Sequence, residues 1–368
     1  MEDIFGMLSS TLDLRDTYRL GQKVSSENLL ENKKKVNQII SLAKKNAKSD
    51  KCLYCGEKVT SFCNSHTIPA FILENISVEG NLYNFNKMIG SPLIKDEDGI
   101  NRSGTFYVIC RDCDSKVFAE YENPDKYSTD PSHKMLAQIA MKNFLKNIYK
   151  RKLEFEIYKI VNEQMGLPYG MLEHQSNIIE LDLNEFTNEY IRAKKSAEKN
   201  KSDAYYMFFC ERLDYVVPVA FQGPIAMSTD LEGGVINKLF DMDPKYKLQE
   251  LHLCIFPFKE ESLVFMFIDS RSKRYRKFYK QFRKLSLEEQ LKVVVYLIFA
   301  YTEDFFIHKD LDDEILRNEV LLEISGKSSI VTSMIPFVDG DEVVQQSYDF
   351  SQLSQVPNIF SKRYEVGR

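Results

Sequence analysis

The chain has 368 residues, 43% of them hydrophobic, and a formal net charge of −5. That is enough apolar material for one or two sizeable cores. The acidic balance argues against a protein whose whole surface coats nucleic acid, while leaving local basic clusters open. No apolar run reaches the roughly 18 residues of a membrane-spanning helix, so no membrane association is expected.

The first residues, MEDIFGMLSS, are acidic where a secretory signal needs a basic region. Residues 26–47 carry Leu29, Leu30, Val36, Ile39, Ile40, Leu42 and Ala43 at helical spacing, with Ser26 as a candidate N-cap. An N-terminal helical segment is therefore expected over 1–50.

Next comes KCLYCGEKVTSFCNSHTIPAF, residues 51–71, with Cys52 and Cys55 two residues apart. A second pair, Cys110 and Cys113, follows in YVICRDCDSKVFAEYEN. Two C-x2-C pairs have the ligand spacing of a closed tetrahedral Zn2+ site, which is structural because four thiolates leave no open position. Seven cysteines, four of them in metal spacing, fit a reducing compartment, and a cytoplasmic location is expected. Cys63, Cys210 and Cys254 read as ordinary small side chains.

Asn123-Pro124 closes this region, and a polar connector with two prolines leads into a helical pattern over 134–161, with Leu136, Ile139, Ala140, Phe144 and Ile148 on one face. Residues 176–200 read as helical or mixed. Between 203 and 270 the pattern turns to β: AYYMFFCERL, YVVPVAFQ, LHLCIFPF and SLVFMFID are short, aromatic and β-branched, with EGGV at 232–235 as a tight turn. Two helices are expected at about 271–285 and 287–306, the second opened by a capping box of Ser286 and Glu289. The fold class is α+β. The expected divisions are 1–50, a zinc module at 51–123, a helical region at 124–202, and an α+β domain with an antiparallel sheet at 203–368.

The basic run RSKRYRKFYKQFRK, 271–284, has two readings. Arg271, Lys273, Arg274, Arg276, Lys277 and Lys280 can grip phosphates while the rings stack on bases. Alternatively Tyr275, Phe278, Phe282 and Leu285 form the buried stripe of an amphipathic helix whose cations solvate the other face. His133, His174, His252 and His308 have no ligand-spaced partner. No phosphate-binding glycine loop and no G-x-S-x-G elbow is present, which argues against an ATPase or an α/β-hydrolase.

The order C-x2-C, then Ser65-His66-Thr67-Ile68-Pro69, then C-x2-C-Asp114, resembles the HNH endonuclease family over roughly residues 51–123. The resemblance implies a zinc-stabilised ββα-metal module and phosphodiester hydrolysis of DNA or RNA. His66 would be the general base, and Asp114 a ligand of catalytic Mg2+ or Mn2+. Glu122 is the candidate second carboxylate, on the expectation of a helix that starts near Asp114 and carries Phe118, Tyr121 and Glu122 on one face. Asp114 also reads as an N-cap. The chain departs from the family where Ser65 and Thr105 replace its Asp and Asn. By family association, such fusions look like bacterial effectors against phage or plasmids. The alternative is a non-catalytic zinc-dependent module that binds nucleic acid or protein, with the C-terminal domain as a possible protein-binding surface.

Overall fold

The computed structural model of the chain describes residues 26–86, 94–100, 104–167, 169–302, 304–312, 315, 318–325 and 340–367. The expectation for 1–25 lies outside the described residues. The fold is α+β, and the chain divides into two compact units.

One unit gathers residues up to Ser65, Phe106–Ala119 and Met141–Lys195. It contains α1 (Ser26–Asn46), the two cysteine pairs and α3 (Arg111–Val117), together with most of α4 (His133–Met165) and α5 (Met171–Glu198). The expected helix at 134–161 is present and longer. The stretch at 176–200 resolves into helix. Within this unit α4 and α5 share a charged contact, Arg151 Nε to Asp182 Oδ2 at 2.8 Å, and a ring contact between Phe144 and Phe186.

The other unit is built on a seven-stranded, wholly antiparallel sheet whose strands run, in spatial order, β3 (Ile94–Gly99), β2 (Asn81–Asn86), β9 (Asp304–Ile307), β6 (Val219–Ile225), β7 (Leu251–Pro257), β8 (Ser262–Asp269) and β5 (Tyr205–Leu213). The four strands expected from alternation are there: β5 (Tyr205–Leu213), β6 (Val219–Ile225), β7 (Leu251–Pro257) and β8 (Ser262–Asp269). β7 and β8 are buried along their whole length, as central strands covered on both faces are. The insertion between the cysteine pairs adds a short helix, α2 (Ala70–Asn75), and the strands β2 and β3 at the other end of the sheet.

Two helices follow the sheet strands. α6 (Arg276–Phe282) is preceded by a 3-10 turn at Lys273–Tyr275, and α7 (Leu287–Tyr301) opens with the expected capping box. Ser286 N donates to Glu289 Oε2 at 2.8 Å and Glu289 N to Ser286 Oγ at 3.4 Å. The expectation that this second helix runs to 306 needs correcting. It stops at Tyr301, Thr302 turns extended, and β9 (Asp304–Ile307) pairs with both β2 and β6. Phe305 and Ile307 gain burial in the sheet, which outweighs continuation of the helix. The EGGV turn is present. Gly233 lies at φ +81°, and the Asp230 carboxylate accepts from the N–H groups of Glu232 and Gly234.

Two lone histidines serve the core. His308 Nδ1 lies 2.9 Å from the carbonyl oxygen of Ile76. His252, on β7, is 2% exposed and stacks on Phe267 at 4.7 Å. Burial pulls its pKa down to about 3, against the opposing charge of Asp269. The unfolded chain protonates this ring near 6.5 and the folded chain does not, so the unfolded state binds more protons in that window. Stability is therefore expected to fall as pH drops from 6.5 towards 3, by up to about 1.4 kcal/mol per unit. In urea unfolding across that range, His252→Phe should flatten the dependence. An unchanged slope would remove His252 as its source.

Candidate metal centre

The two cysteine pairs meet. The ligand atoms of Cys52, Cys55, Cys110 and Cys113 all lie within 4.8 Å of one another. Tetrahedral thiolates at a Zn–S distance of about 2.3 Å stand about 3.8 Å apart, so a small inward movement closes the cage on an ion. Four sulfur donors form a soft set suited to a metal such as zinc.

Local backbone chemistry makes the first half. Cys52 N donates to Glu57 O and Gly56 N to Cys52 O, both at 2.9 Å, which folds Cys52–Cys55 into a tight knuckle. The turn depends on Gly56 at φ +78°, a conformation costly for any residue with a Cβ. Two N–H groups tie the halves together: Leu53 N to Val108 O and Cys63 N to Ile109 O, each 2.9 Å. Cys110 then caps α3, and Cys113 sits in its first turn.

Two long helices brace this arrangement from within the same unit. From α5, Tyr190 Oη donates to Leu53 O at 3.2 Å and Lys194 Nζ to Tyr54 O at 2.6 Å, with the ammonium over the Tyr54 ring. From α4, Lys142 reaches Asp114 on α3. Its Nζ lies 3.7 Å from Asp114 Oδ1 and 4.4 Å from the centre of the Phe118 ring. Lys142 is 1% exposed, whereas Asp114 is half-buried, so the pair is only partly shielded from water. Asp114 also accepts from Ser65 Oγ at 2.5 Å and from Cys63 Sγ at 3.4 Å. Burial and the neighbouring Asp114 push the Cys63 thiol up to about 11, so it stays a thiol.

The four clustered sulfurs are electrostatically uneven. Burial raises Cys52, but backbone N–H groups of Cys55, Cys110 and Tyr54 outweigh it and bring the pKa down to about 7. Burial, then side-chain hydrogen bonds with Cys110 and Cys55, and then the charge of Cys52 and Cys110 push Cys113 upward. Cys110 is also raised, chiefly by burial. Four thiolates cannot crowd together without a cation to offset their repulsion.

The remaining sequence candidates fall as follows. His66 lies half-buried on β1 (Ser65–His66), with Nε2 3.1 Å from Ile100 O. β1 pairs with β4 (Thr105–Phe106). The helix expected to start near Asp114 starts instead at Arg111, because Cys110 is the cap, and it ends at Val117. Asp114 is thus inside the helix rather than its N-cap. Glu122 lies beyond the helix in the following turn, so the shared-face relation to Asp114 does not hold. Glu122 is half-buried, and its charge, after burial, helps raise the Tyr127 phenol. Among the described residues the four cysteines are the one group of three or more potential ligands, and His66, Asp114 and Glu122 do not form another. The Lys142–Asp114–Ser65 contact was not foreseeable, since its members are far apart in sequence and carry no spacing signature.

The basic run divides. Tyr275, Phe278 and Phe282 are fully buried, as an amphipathic stripe requires. Arg271 pairs with Asp269, Lys273 donates to Ser270 O, and Arg274 bonds Tyr246 and Lys247 O. Lys277 lies 3.3 Å from Asp230 and 3.2 Å from Glu232. Arg276 and Lys280 are exposed.

No family model matches the chain, and neither does any curated protein or solved structure. No helix among the described residues is long and apolar enough to cross a membrane.

Metal binding should displace protons from the raised thiols, so affinity should rise with pH. Calorimetric titration with Zn2+ in buffers of different ionisation enthalpy should report net proton release, and a buffer-independent heat would contradict it. Lys142→Met should destabilise the chain in urea unfolding by removing the cation beside Asp114, which keeps its bonds from Ser65 and Cys63. Adding Asp114→Asn should recover part of that loss. Full additivity of the two would mean that the ion pair carries no coupling.

Proposed function

We propose that the chain is an HNH-like, metal-dependent nuclease in which Cys52, Cys55, Cys110 and Cys113 hold a structural Zn2+. The observation that supports a hydrolytic site is the setting of His66. A carbonyl oxygen can only accept, so the contact with Ile100 O places a hydrogen on Nε2 and makes Nδ1 the basic nitrogen of the neutral ring. A ring fixed in one tautomer by the backbone suits a general base.

In this reading His66 Nδ1 takes a proton from the water whose oxygen forms the new P–O bond. The leaving oxygen departs from phosphorus and is protonated by solvent. Asp114, with Glu122 as the further carboxylate, would hold Mg2+ or Mn2+, an ion that offsets charge on the phosphate. Such an ion commonly rests on one or two carboxylates plus water and substrate oxygens, so it needs no preformed cage of three protein ligands. The substrate would be DNA or RNA, and a role against phage or plasmid nucleic acid in a bacterial cytoplasm fits that chemistry.

A second reading is favoured by Asp114 itself. Its carboxylate already meets Ser65, Cys63 and Lys142, and a divalent ion would have to displace some of those partners. On that reading the zinc platform presents a surface for nucleic acid or protein and cleaves nothing.

Incubation of plasmid DNA and a structured RNA with Mg2+ or Mn2+, comparing wild type with His66→Ala, separates the two. The nuclease reading expects cleavage that drops by at least about 100-fold in a variant retaining its zinc. Absence of cleavage by the wild type supports the binding module. Cleavage that persists in the variant overturns the role of His66.

A further inference from the structure

Of the eight cations in the basic run at 271–284, four have partners, and three of the other four share one outward face. Arg271, Lys273, Arg274 and Lys277 are each held by a carboxylate, a phenol or a backbone carbonyl, as described above. Arg276, Lys280 and Arg283 recur at i, i+4 and i+7, opposite the buried Phe278 and Phe282. All three are exposed. Among the described residues Arg276 and Lys280 have no side-chain partner, and Arg283 bonds only a phenol, Tyr279 Oη, at 3.0 Å.

Aromatic rings lie within the same stripe. Tyr279 sits between Arg276 and Arg283, with the Arg283 guanidinium 5.3 Å from its ring centre. Tyr206, on the edge strand β5, is 48% exposed and meets Tyr279 edge-on at 6.0 Å, with the two hydroxyls 3.2 Å apart. The rings are held from beneath. The β5–β8 register shifts between Met207 and Phe209, and the intervening Phe208 packs edge-on against Phe278, Tyr279 and Phe282. A braced tyrosine pair, Tyr206 exposed and Tyr279 half-buried, flanked by cations that no carboxylate holds, offers ring surface for bases and positive charge for phosphates. An acidic peptide would use the cations and leave the rings without a purpose.

We propose that Arg276, Lys280, Arg283, Tyr279 and Tyr206 form a docking surface for single-stranded nucleic acid. It deepens the nucleic-acid reading above, yet it stands whether or not the chain cleaves.

The test is fluorescence anisotropy with a labelled oligothymidylate of about 20 nucleotides, in His66→Ala protein without added divalent ion, so that cleavage cannot intervene. Neutralising Arg276, Lys280 and Arg283 together should weaken binding and reduce the slope of log affinity against log salt by about 2. Tyr279→Leu should weaken binding by about fivefold or more. Lys277→Ala, whose cation is already paired, should leave affinity unchanged. Melting temperatures of all variants check folding. Three results overturn the proposal: no binding by the intact surface, equal weakening by Lys277→Ala, or tighter binding of polyglutamate than of the oligonucleotide with no effect of Tyr279→Leu. Binding without cleavage in the wild type would keep this surface and remove only the nuclease.

Discussion

Four sulfur atoms crowded within 4.8 Å of one another are the constraint on which the smaller unit depends. Crowded thiolates repel, and the thiols of Cys110 and Cys113 are both shifted upward, so the cluster favours a compensating cation. A metal ion held by the four sulfurs would convert that repulsion into a cross-link between residues 52–55 and 110–113. Much of the surrounding structure serves the same end. Gly56 shapes the knuckle, backbone bonds at Leu53 and Cys63 align the halves, and helices α4 and α5 brace one half each through Lys142 and through Tyr190 with Lys194.

The metal site was legible because its signal is local: two residues between cysteines, twice. The sheet from β5 to β8 was legible for a similar reason, as its aromatic and β-branched runs have no competing helical period. The unread strands lacked such a signal. IKDEDG, which forms β3, contains one apolar residue, and an edge position in a sheet tolerates that composition. DFFI follows an apolar helix so closely that the two merge into one pattern, and only the sheet partners of β9 separate them.

Side-chain partnerships between distant segments were the least visible. The Lys142–Asp114 pair joins positions on different helices, and its charges are ordinary in sequence. The basic run shows the same limit from the other direction. Composition presents eight cations as one patch, whereas Asp230, Glu232, Tyr246, Asp269 and the Ser270 carbonyl oxygen hold four of them. Charge counted along a sequence is a different quantity from charge left over in a fold.

The most direct measurement is X-ray absorption at the metal edge of the purified chain, with elemental analysis for stoichiometry. One metal per chain with four sulfur neighbours at about 2.3 Å is expected if Cys52, Cys55, Cys110 and Cys113 close around Zn2+. Nitrogen or oxygen in the first shell, or a folded chain with no stoichiometric metal, would contradict a four-thiolate structural centre.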